Sequence, residues 1–533
     1  MIAQAPRVDT RASTFRVESL LVPSAFPHAV SHLSLKETYI SWIVLTGHYA
    51  YKIKKPAHFD FLDASTLERR RELCEEELRL NRRLAPDLYI DVQAVTEQDG
   101  QLRLGGDGPP VEYAVRMHEF DPSQELASRL QDGTVVDNDM TALADLVADF
   151  HRRAAVAPPD STYGTYEAVH AEVLDNLAVL LKCRTGAEDA NALAQLNDWL
   201  HRSLTVLAPL IRQRKRSGAV RECHGDLHAR NIVRWQQQWL PFDCIEFEPK
   251  LRWIDVMSDV AFLFMDLVAH ARRDLAYAFL NRYLEQTGDY EGLGVLRLYA
   301  AYRALVRAKV DALGTQNSAP ETAQLLRAHA ADRVSTAAQL IERHAPTLMI
   351  MHGVTACGKS WLSEQLVSAV HAVRVRSDLE RKRLAGLEAL AHTASDVSQG
   401  LYAVEPTERT YQRLLECARA GLRAGFNMIV DASFLHGAQR EQFRRLAQEE
   451  RCQCLIVSCH ATRQTMNARL ETRARIGRDP SEATLPVLEH QLANQEPLTP
   501  EEHARAVRVD TNWVTGADAG IKAVKARLAS AAL

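Results

Sequence analysis

His224-Gly225-Asp226-Leu227-His228-Ala229-Arg230-Asn231-Ile232-Val233 is the stretch that decides the fold of the first part of the chain. It sets an acid, a spacer of four residues and an amide side chain ahead of a short apolar run. An acid there can orient a hydroxyl and take its proton. An amide oxygen at that spacing can hold a metal ion on nucleotide phosphates, and phosphoryl transfer uses such a pair. We therefore expect Asp226 to serve as a base and Asn231 as a metal ligand. Downstream, Phe242-Asp243-Cys244-Ile245-Glu246-Phe247 supplies a second carboxylate, and Asp243 is the expected partner of Asn231. Further on, Ser258-Asp259-Val260 precedes an apolar helix, where Asp259 reads as an acid bracing the loop.

Upstream, Tyr39–Leu45 is β-branched and aromatic, Thr46-Gly47-His48 turns the chain, and Tyr49-Ala50-Tyr51-Lys52-Ile53-Lys54 resumes the pattern. That is a hairpin signal. Ala50 and Lys52 share one strand face, which suits a small residue beneath a base and an amine reaching phosphates. Lys54 shares that face and competes for the role, with a solvated strand edge as the plain alternative. Leu67–Leu84 reads as a charged helix. Glu77 is expected to hold the strand lysine, because Leu73, Leu80 and Leu84 lie at helical spacing from it. A surface role fits Glu75, Glu76 or Glu77 equally well. Strands follow at Tyr89–Val92, Gln101–Leu104 and Tyr113–Met117. At His118-Glu119-Phe120 the chain is expected to cross between lobes and meet an adenine. Helical patterns then run over Met140–Ala155, Tyr166–Leu181 and Ala192–Arg216. A sheet lobe followed by a helical lobe, with Ala-x-Lys and Asp-x-x-x-x-Asn, is the order and spacing of kinases.

Helices continue to about His344, and Pro346 marks the expected boundary between domains 1–345 and 346–533. Leu348–His352 reads as a buried strand. It leads into Gly353-Val354-Thr355-Ala356-Cys357-Gly358-Lys359-Ser360 and a helix from Trp361. Gly-x-x-x-x-Gly-Lys-Ser between strand and helix is a phosphate loop. Its backbone N–H groups from Gly353 to Gly358 cradle phosphates, Lys359 reaches the β and γ groups, and Ser360 ligates Mg²⁺. Strands at Val373–Arg376, Asn427–Val430, Cys454–Ser458 and Val507–Val509 follow. Ligands gather at the carboxyl ends of such strands. Asp431 is expected to support the metal through water. Asp378 is expected to accept a proton from an acceptor hydroxyl, or else to cap a helix Leu379–Leu387. Arg463, Arg469, Arg473, Arg475 and Arg478 form a basic run. Arg469 and Arg473 share a helix face and are expected in a lid over the transferred phosphate. The alternative is a solvated helix tempered by Glu471 and Glu482.

The 533 residues exceed what one core accommodates. Apolar residues at 46% and charged residues at 25% are ordinary for a globular chain. A formal net charge of −4 provides no field toward nucleic acid or an anionic membrane, so neither is an expected partner. The nine cysteines show no metal-ligand spacing; Cys452 and Cys454 are expected to be buried thiols, and the set fits a reducing cytoplasm. No run approaches the ~18 apolar residues of a membrane span. Met1–Glu18 carries Arg7, Asp9, Arg11, Arg16 and Glu18 without an apolar stretch, so no secretory signal is expected.

On His224-Gly225-Asp226 through Asn231, Asp243 and Asp259-Val260-Ala261, residues from about 34 to 340 resemble the aminoglycoside phosphotransferase/choline kinase group. The resemblance implies a two-lobed α+β kinase-like fold, a base at Asp226, Mg²⁺ ligands at Asn231 and Asp243, and a phosphate ligand at Lys52. The Gly-x-Gly-x-x-Gly loop of protein kinases is absent before Lys52, where only Gly47 stands, and Asp243 opens no Asp-Phe-Gly. Ala319-Pro320-Glu321 lies too far downstream to close an activation loop. These departures argue against a protein kinase. Residues from about 347 to 533 resemble small P-loop kinases such as gluconate and adenylate kinases and the zeta-toxin-like proteins, implying an α/β domain with a mostly parallel sheet. With Arg376-Ser377-Asp378, Arg381-Lys382, Val430–Phe434 and the Arg469–Arg473 helix, the whole chain resembles bacterial fusions of the two. The resemblance implies an ATP- and Mg²⁺-dependent kinase with two nucleotide sites, passing the γ-phosphate to hydroxyls of small molecules. The alternatives are a single kinase whose P-loop domain is an ATP-binding regulatory module, and a non-catalytic nucleotide-binding scaffold. An aminoglycoside acceptor would want acids in the helical lobe, for which Asp137, Asp139, Glu167, Glu172 and Asp175 are candidates against a solvated surface.

Overall fold

The alternating pattern of residues 41–54 forms two antiparallel strands, Ser41–Leu45 and Tyr49–Lys54. The turn between them holds Gly47 at a φ of 86°, in the region that favours glycine. In the computed structural model, which describes residues 15–59, 62–183, 187–342, 344–389, 391, 404–476, 481 and 483–531, these strands lie inside a six-stranded sheet. Its order is Ser34–Glu37, Ser41–Leu45, Tyr49–Lys54, Pro110–His118, Tyr89–Gln98, Gln101–Leu104, antiparallel throughout. Because Tyr49–Lys54 is an interior strand, Lys52 and Lys54 are only 8% and 1% exposed, which overturns the solvated-edge alternative. Helix Leu67–Asn81 starts under a Thr66 cap, whose hydroxyl accepts from the Arg69 N–H at 3.2 Å. It ends at Asn81 rather than Leu84 and packs on strand Pro110–His118.

Helices Asp137–Arg153, Tyr166–Lys182 and Ala187–Arg216 come next. Two small antiparallel pairs then frame the loop around Asp226: Val220–Glu222 with Trp253–Asp255, and Ile232–Trp235 with Gln238–Pro241. Helix Val256–Ala269 is buried along nearly its whole length; its sequence is apolar apart from Ser258, Asp259 and Asp266, and the two acids are buried with it.

Chain contacts group Met1–His270 with Leu298–Ala338 in one unit, and Ala271–Arg297 with Gln339–Leu533 in the other. The second unit is built on five parallel strands in the order Ala372–Arg376, Asn427–Asp431, Thr347–His352, Gln453–His460, Val507–Asp510. Leu348 to Met351 are fully buried, the pattern of a strand covered on both faces. The edge strand Ala372–Arg376 is closed by side chains of the segment 271–297. The Asn281 amide donates to the Ala372 carbonyl at 2.9 Å and accepts from the Arg374 N–H at 2.6 Å. The Tyr290 hydroxyl donates to the Arg374 carbonyl at 3.1 Å. These groups stand in for a neighbouring strand at Ala372 and Arg374. Pro346 lies between helix Pro320–Ile341 and strand Thr347–His352. The segment 271–297 precedes that proline in sequence yet groups with the residues beyond it.

Two local expectations are corrected. Helix Ser377–Leu384 begins before Asp378, with Arg376 at its cap position, so Asp378 sits in the first turn and does not cap it. Cys452 and Cys454 are half-buried rather than buried: Cys452 precedes strand Gln453–His460 and Cys454 is its second residue, ahead of the buried run Leu455–Cys459. Among the described residues, no helix is long and apolar enough to cross a membrane.

Candidate active sites

The hairpin after the Asp226 loop sets the first site. Ile232 stands opposite Pro241, and the Phe242 N–H donates to the Asn231 carbonyl at 2.9 Å. Asn231, entering the hairpin, and Asp243, leaving it, therefore stand side by side. The Asn231 amide donates to Asp226 Oδ2 at 2.9 Å, joining the acid and the amide of the motif. Lys52 Nζ donates to Glu77 Oε1 at 2.8 Å and also pairs with Asp243. Of the three neighbouring glutamates, Glu77 is the one that is fully buried. Burial disfavours its charge, but Lys52 and Lys54 hold its carboxyl well below the usual range. Burial likewise disfavours the Lys52 ammonium, and Asp243 and Glu77 hold it charged.

Lys54 lies beside Lys52 on the same carboxylate. Its ammonium pairs with the other oxygen of Glu77 and with Glu246. Glu246 is a partner that the sequence reading did not name. The signal was present, since Lys52-x-Lys54 offers two cations to the two acids of Asp243-x-x-Glu246, but only folding makes them meet.

The loop itself is held by buried acids. Asp259 accepts the N–H groups of His224 at 2.8 Å and Gly225 at 2.9 Å and faces His151 Nε2 at 3.3 Å, the bracing role expected of it. Asp266 accepts the Ala229 N–H at 2.9 Å. Gly225 has a φ of 88°, and a Cβ there would lie 2.8 Å from the Leu251 carbonyl oxygen. The His224 ring, whose pKa burial lowers, bonds through Nε2 to the Phe242 carbonyl at 2.9 Å. That bond fastens the Asp226 loop to the turn bearing Asp243. Burial disfavours the Asp226 carboxylate, but His228 at 3.3 Å and Arg307 hold it well below the usual range. Carboxylate and amide oxygens at the hairpin mouth are the hard ligands that Mg²⁺ takes.

In the second unit, a cavity of about 1420 Å³ is lined by Gly358, Lys359, Ser360, Asp378, Asp431, Arg469 and Arg473. The expected residues of this site are thus gathered, apart from Gly353. Gly353 serves the passage of the chain: its φ is 136°, and a Cβ would lie 2.7 Å from Cys357 Sγ and from the Cys459 carbonyl oxygen. Gly358 has a φ of 92°, and its Cβ would lie 2.9 Å from Thr511. Lys359 Nζ donates to the Val354 carbonyl at 2.8 Å, lying along the loop. Asp431 is 5% exposed and accepts from Ser363 Oγ at 3.2 Å, with Arg376 at 3.7 Å. The Ser363 Oγ also lies 3.0 Å from the Ser360 carbonyl oxygen, so its one hydroxyl hydrogen serves either acceptor and this second serine stands between the phosphate loop and the acid. Arg381 donates to Asp378 at 3.0 Å; burial disfavours that carboxylate, and Arg381 and Arg376 hold its pKa below the usual range.

Helix Arg463–Ile476 carries the expected lid residues. Arg469 donates to the Ala356 carbonyl at 3.1 Å and is fixed to Thr511 as well, so it is anchored on the phosphate loop. Arg463 pairs with Glu489, and Arg475 is exposed. Arg478 and Glu482 lie outside the described residues. Backbone N–H groups, an ammonium and a recessed carboxylate form a cradle suited to a nucleotide–metal complex.

Comparison with known proteins gives matches over both parts of the chain. Residues 62–305 match the phosphotransferase enzyme family APH, and residues 348–498 match the AAA domain family AAA_33. The uncharacterized protein Rv2004c of Mycobacterium tuberculosis is 30% identical over 442 residues, covering 83% of this chain and 86% of its own. Among solved structures, choline kinase from Cryptosporidium parvum is similar over 61% of this chain and 94% of its own, at 12% identity and a TM-score of 0.36. A gluconokinase from Sinorhizobium meliloti is similar over 35% of this chain and 98% of its own, at 20% identity and a TM-score of 0.25.

Proposed function

The chain belongs to the family of the uncharacterized Mycobacterium tuberculosis protein Rv2004c and matches the APH phosphotransferase and AAA_33 families in turn, and on that premise we propose an ATP-dependent kinase with two phosphoryl-transfer sites for hydroxyl groups of small molecules. The observation that carries the reading is the meeting of Asp226, Asn231, Asp243, Lys52 and Glu77 from four separate stretches of chain. A binding module has no use for a base beside such a set.

At the first site Asp226 orients the acceptor hydroxyl and takes its proton as the hydroxyl oxygen bonds to the γ-phosphorus. The bond from that phosphorus to the bridging oxygen breaks, and ADP leaves with the electron pair. Lys52, set by Glu77, faces the phosphates. Asn231 and Asp243 would hold Mg²⁺, which when bound offsets the charge that develops on the phosphates. At the second site Lys359 and the loop N–H groups hold the nucleotide. Ser360 and Asp431 would hold or support Mg²⁺, and Asp378 addresses the acceptor. Arg469 and Arg473 face the transferred group. We assign the first site to residues 1–345 and the second to 346–533. The free thiols suit a reducing, cytoplasmic setting.

The test uses Asp226→Ala and Lys359→Ala in the full chain, assayed with ATP against a panel of sugars, amino alcohols, aminoglycosides and nucleosides. Each variant is expected to lose a different transfer. Loss of every transfer in Asp226→Ala alone overturns the two-enzyme reading and makes the P-loop unit a regulatory ATP-binding module. No ATP consumption by the parent with any acceptor leaves only a scaffold.

A further inference from the structure

We propose that the acceptor of the first site carries an acidic group, a phosphate or a carboxylate, and that Arg307 binds it. The inference rests on the reading of Asp226 as the base. Arg307 comes from helix Leu293–Gly314, outside every motif of the chain. Its guanidinium Nη1 lies 2.9 Å from His228 Nε2, and that ring nitrogen lies 3.3 Å from Asp226 Oδ2. A guanidinium therefore stands one side chain away from the atom that receives the acceptor's proton. It is half-buried, and its planar fork matches the oxygens of a carboxylate or phosphate. Arg230, exposed on the same loop, adds its charge to that of Arg307 at Asp311.

Four acids that a cationic acceptor could use, Asp139, Glu167, Glu172 and Asp175, are committed elsewhere. Asp139 accepts from Trp239 Nε1 and from the Val136 N–H, each at 3.0 Å, closing the start of its helix. Glu167 pairs on the surface with Arg212. Glu172 and Asp175 face Lys309, and Glu172 lines a separate small cavity beside Arg303. The acids near Arg307 have other bases to satisfy. Asp266 bonds Arg333 at 2.9 Å, and Asp311 faces Arg333 and His329 as well as Arg307. A quaternary amine or amino sugar brought to Asp226 would meet the charge of Arg307, whereas an acid would find a partner in it.

The experiment measures Asp226-dependent transfer from ATP, taken as the difference between the full-length parent and Asp226→Asn. Three sets of acceptors are compared: gluconate, glycerol 3-phosphate and fructose 6-phosphate; glucose and glycerol; choline, ethanolamine and kanamycin. Transfer is expected in the acid-bearing set, and its members separate a carboxylate from a phosphate. Arg307→Gln should raise the acceptor KM about 10- to 100-fold, the worth of one lost charge-assisted contact, with kcat and the KM for ATP little changed. Arg307→Lys, which keeps the charge, should recover part of it and carries the comparison where Arg307→Gln does not fold. Transfer to the cationic or neutral sets at equal or lower KM overturns the inference. So does a fall in kcat at unchanged KM in Arg307→Gln, which assigns the arginine to the transferred phosphate. Absence of Asp226-dependent transfer to any compound overturns the kinase reading of the site itself.

Discussion

Asp226 and Glu172 show what surroundings do to one carboxylate and another. At Asp226 burial works against ionisation, but His228 and Arg307 keep the charge. Asp226→Asn preserves the shape and removes the proton acceptor. We expect kcat to fall by about 10²–10⁴ with the KM for ATP nearly unchanged, read from steady-state kinetics. At Glu172 burial pushes the carboxyl up to about 7, and Arg303 only partly offsets it. The folded protein then holds that proton more tightly than the unfolded chain, whose glutamates titrate near about 4.3. The contribution to stability is full below that value and is lost as pH rises through about 7. Glu172→Gln should therefore raise Tm at pH 8.5 and leave it unchanged at pH 4. Equal melting of variant and parent at both pH values would remove the burial argument.

Between elements, Glu77 is the main tie in the first unit. One carboxylate on helix Leu67–Asn81 satisfies two ammonium groups on strand Tyr49–Lys54, and both lysines reach on to the acids beyond the hairpin. Removing one partner of a buried pair leaves an uncompensated charge. Glu77→Gln is expected to cost about 3–5 kcal/mol in urea unfolding and to lower transfer at the first site. In the second unit the junction of phosphate loop and helix Lys359–Val370 depends on Gly358. A Cβ there would press on Thr511, which bonds the Cys357 carbonyl at 2.6 Å. Gly358→Ala should abolish binding of a fluorescent ATP analogue at that loop while Asp226-dependent transfer persists. Unchanged binding would show that the loop shifts to accommodate the methyl group.

For the whole molecule, linear order and contact grouping part company at the segment 271–297. Its Asn281 and Tyr290 complete the edge strand Ala372–Arg376, and Arg374 of that strand bonds Glu285 of the same segment at 2.7 Å. A fragment beginning at Pro346 loses all three partners. It is expected to unfold at lower urea than the second unit within the full chain and to associate through the bared edge, which size-exclusion chromatography would detect. A monomeric fragment of undiminished stability would show that the segment is dispensable.

Read alone, the amino-acid order determined the two phosphate-handling motifs and the α+β and α/β architectures, and it left Glu77 one of three candidate acids. Each of these rests on chemistry within a few residues or on periodicity along one element, which the chain displays whether or not it is folded. Tertiary structure decided the rest. Lys54 finds Glu246 across 192 residues, Arg307 finds His228 across 79, and Asn281 finds Ala372 across 91. Asp378 lost its capping role because the helix starts at Ser377, two residues earlier than its apolar pattern shows. Such pairings are selected by packing and by the cost of burying an unmatched charge or backbone group, and no local spacing announces them.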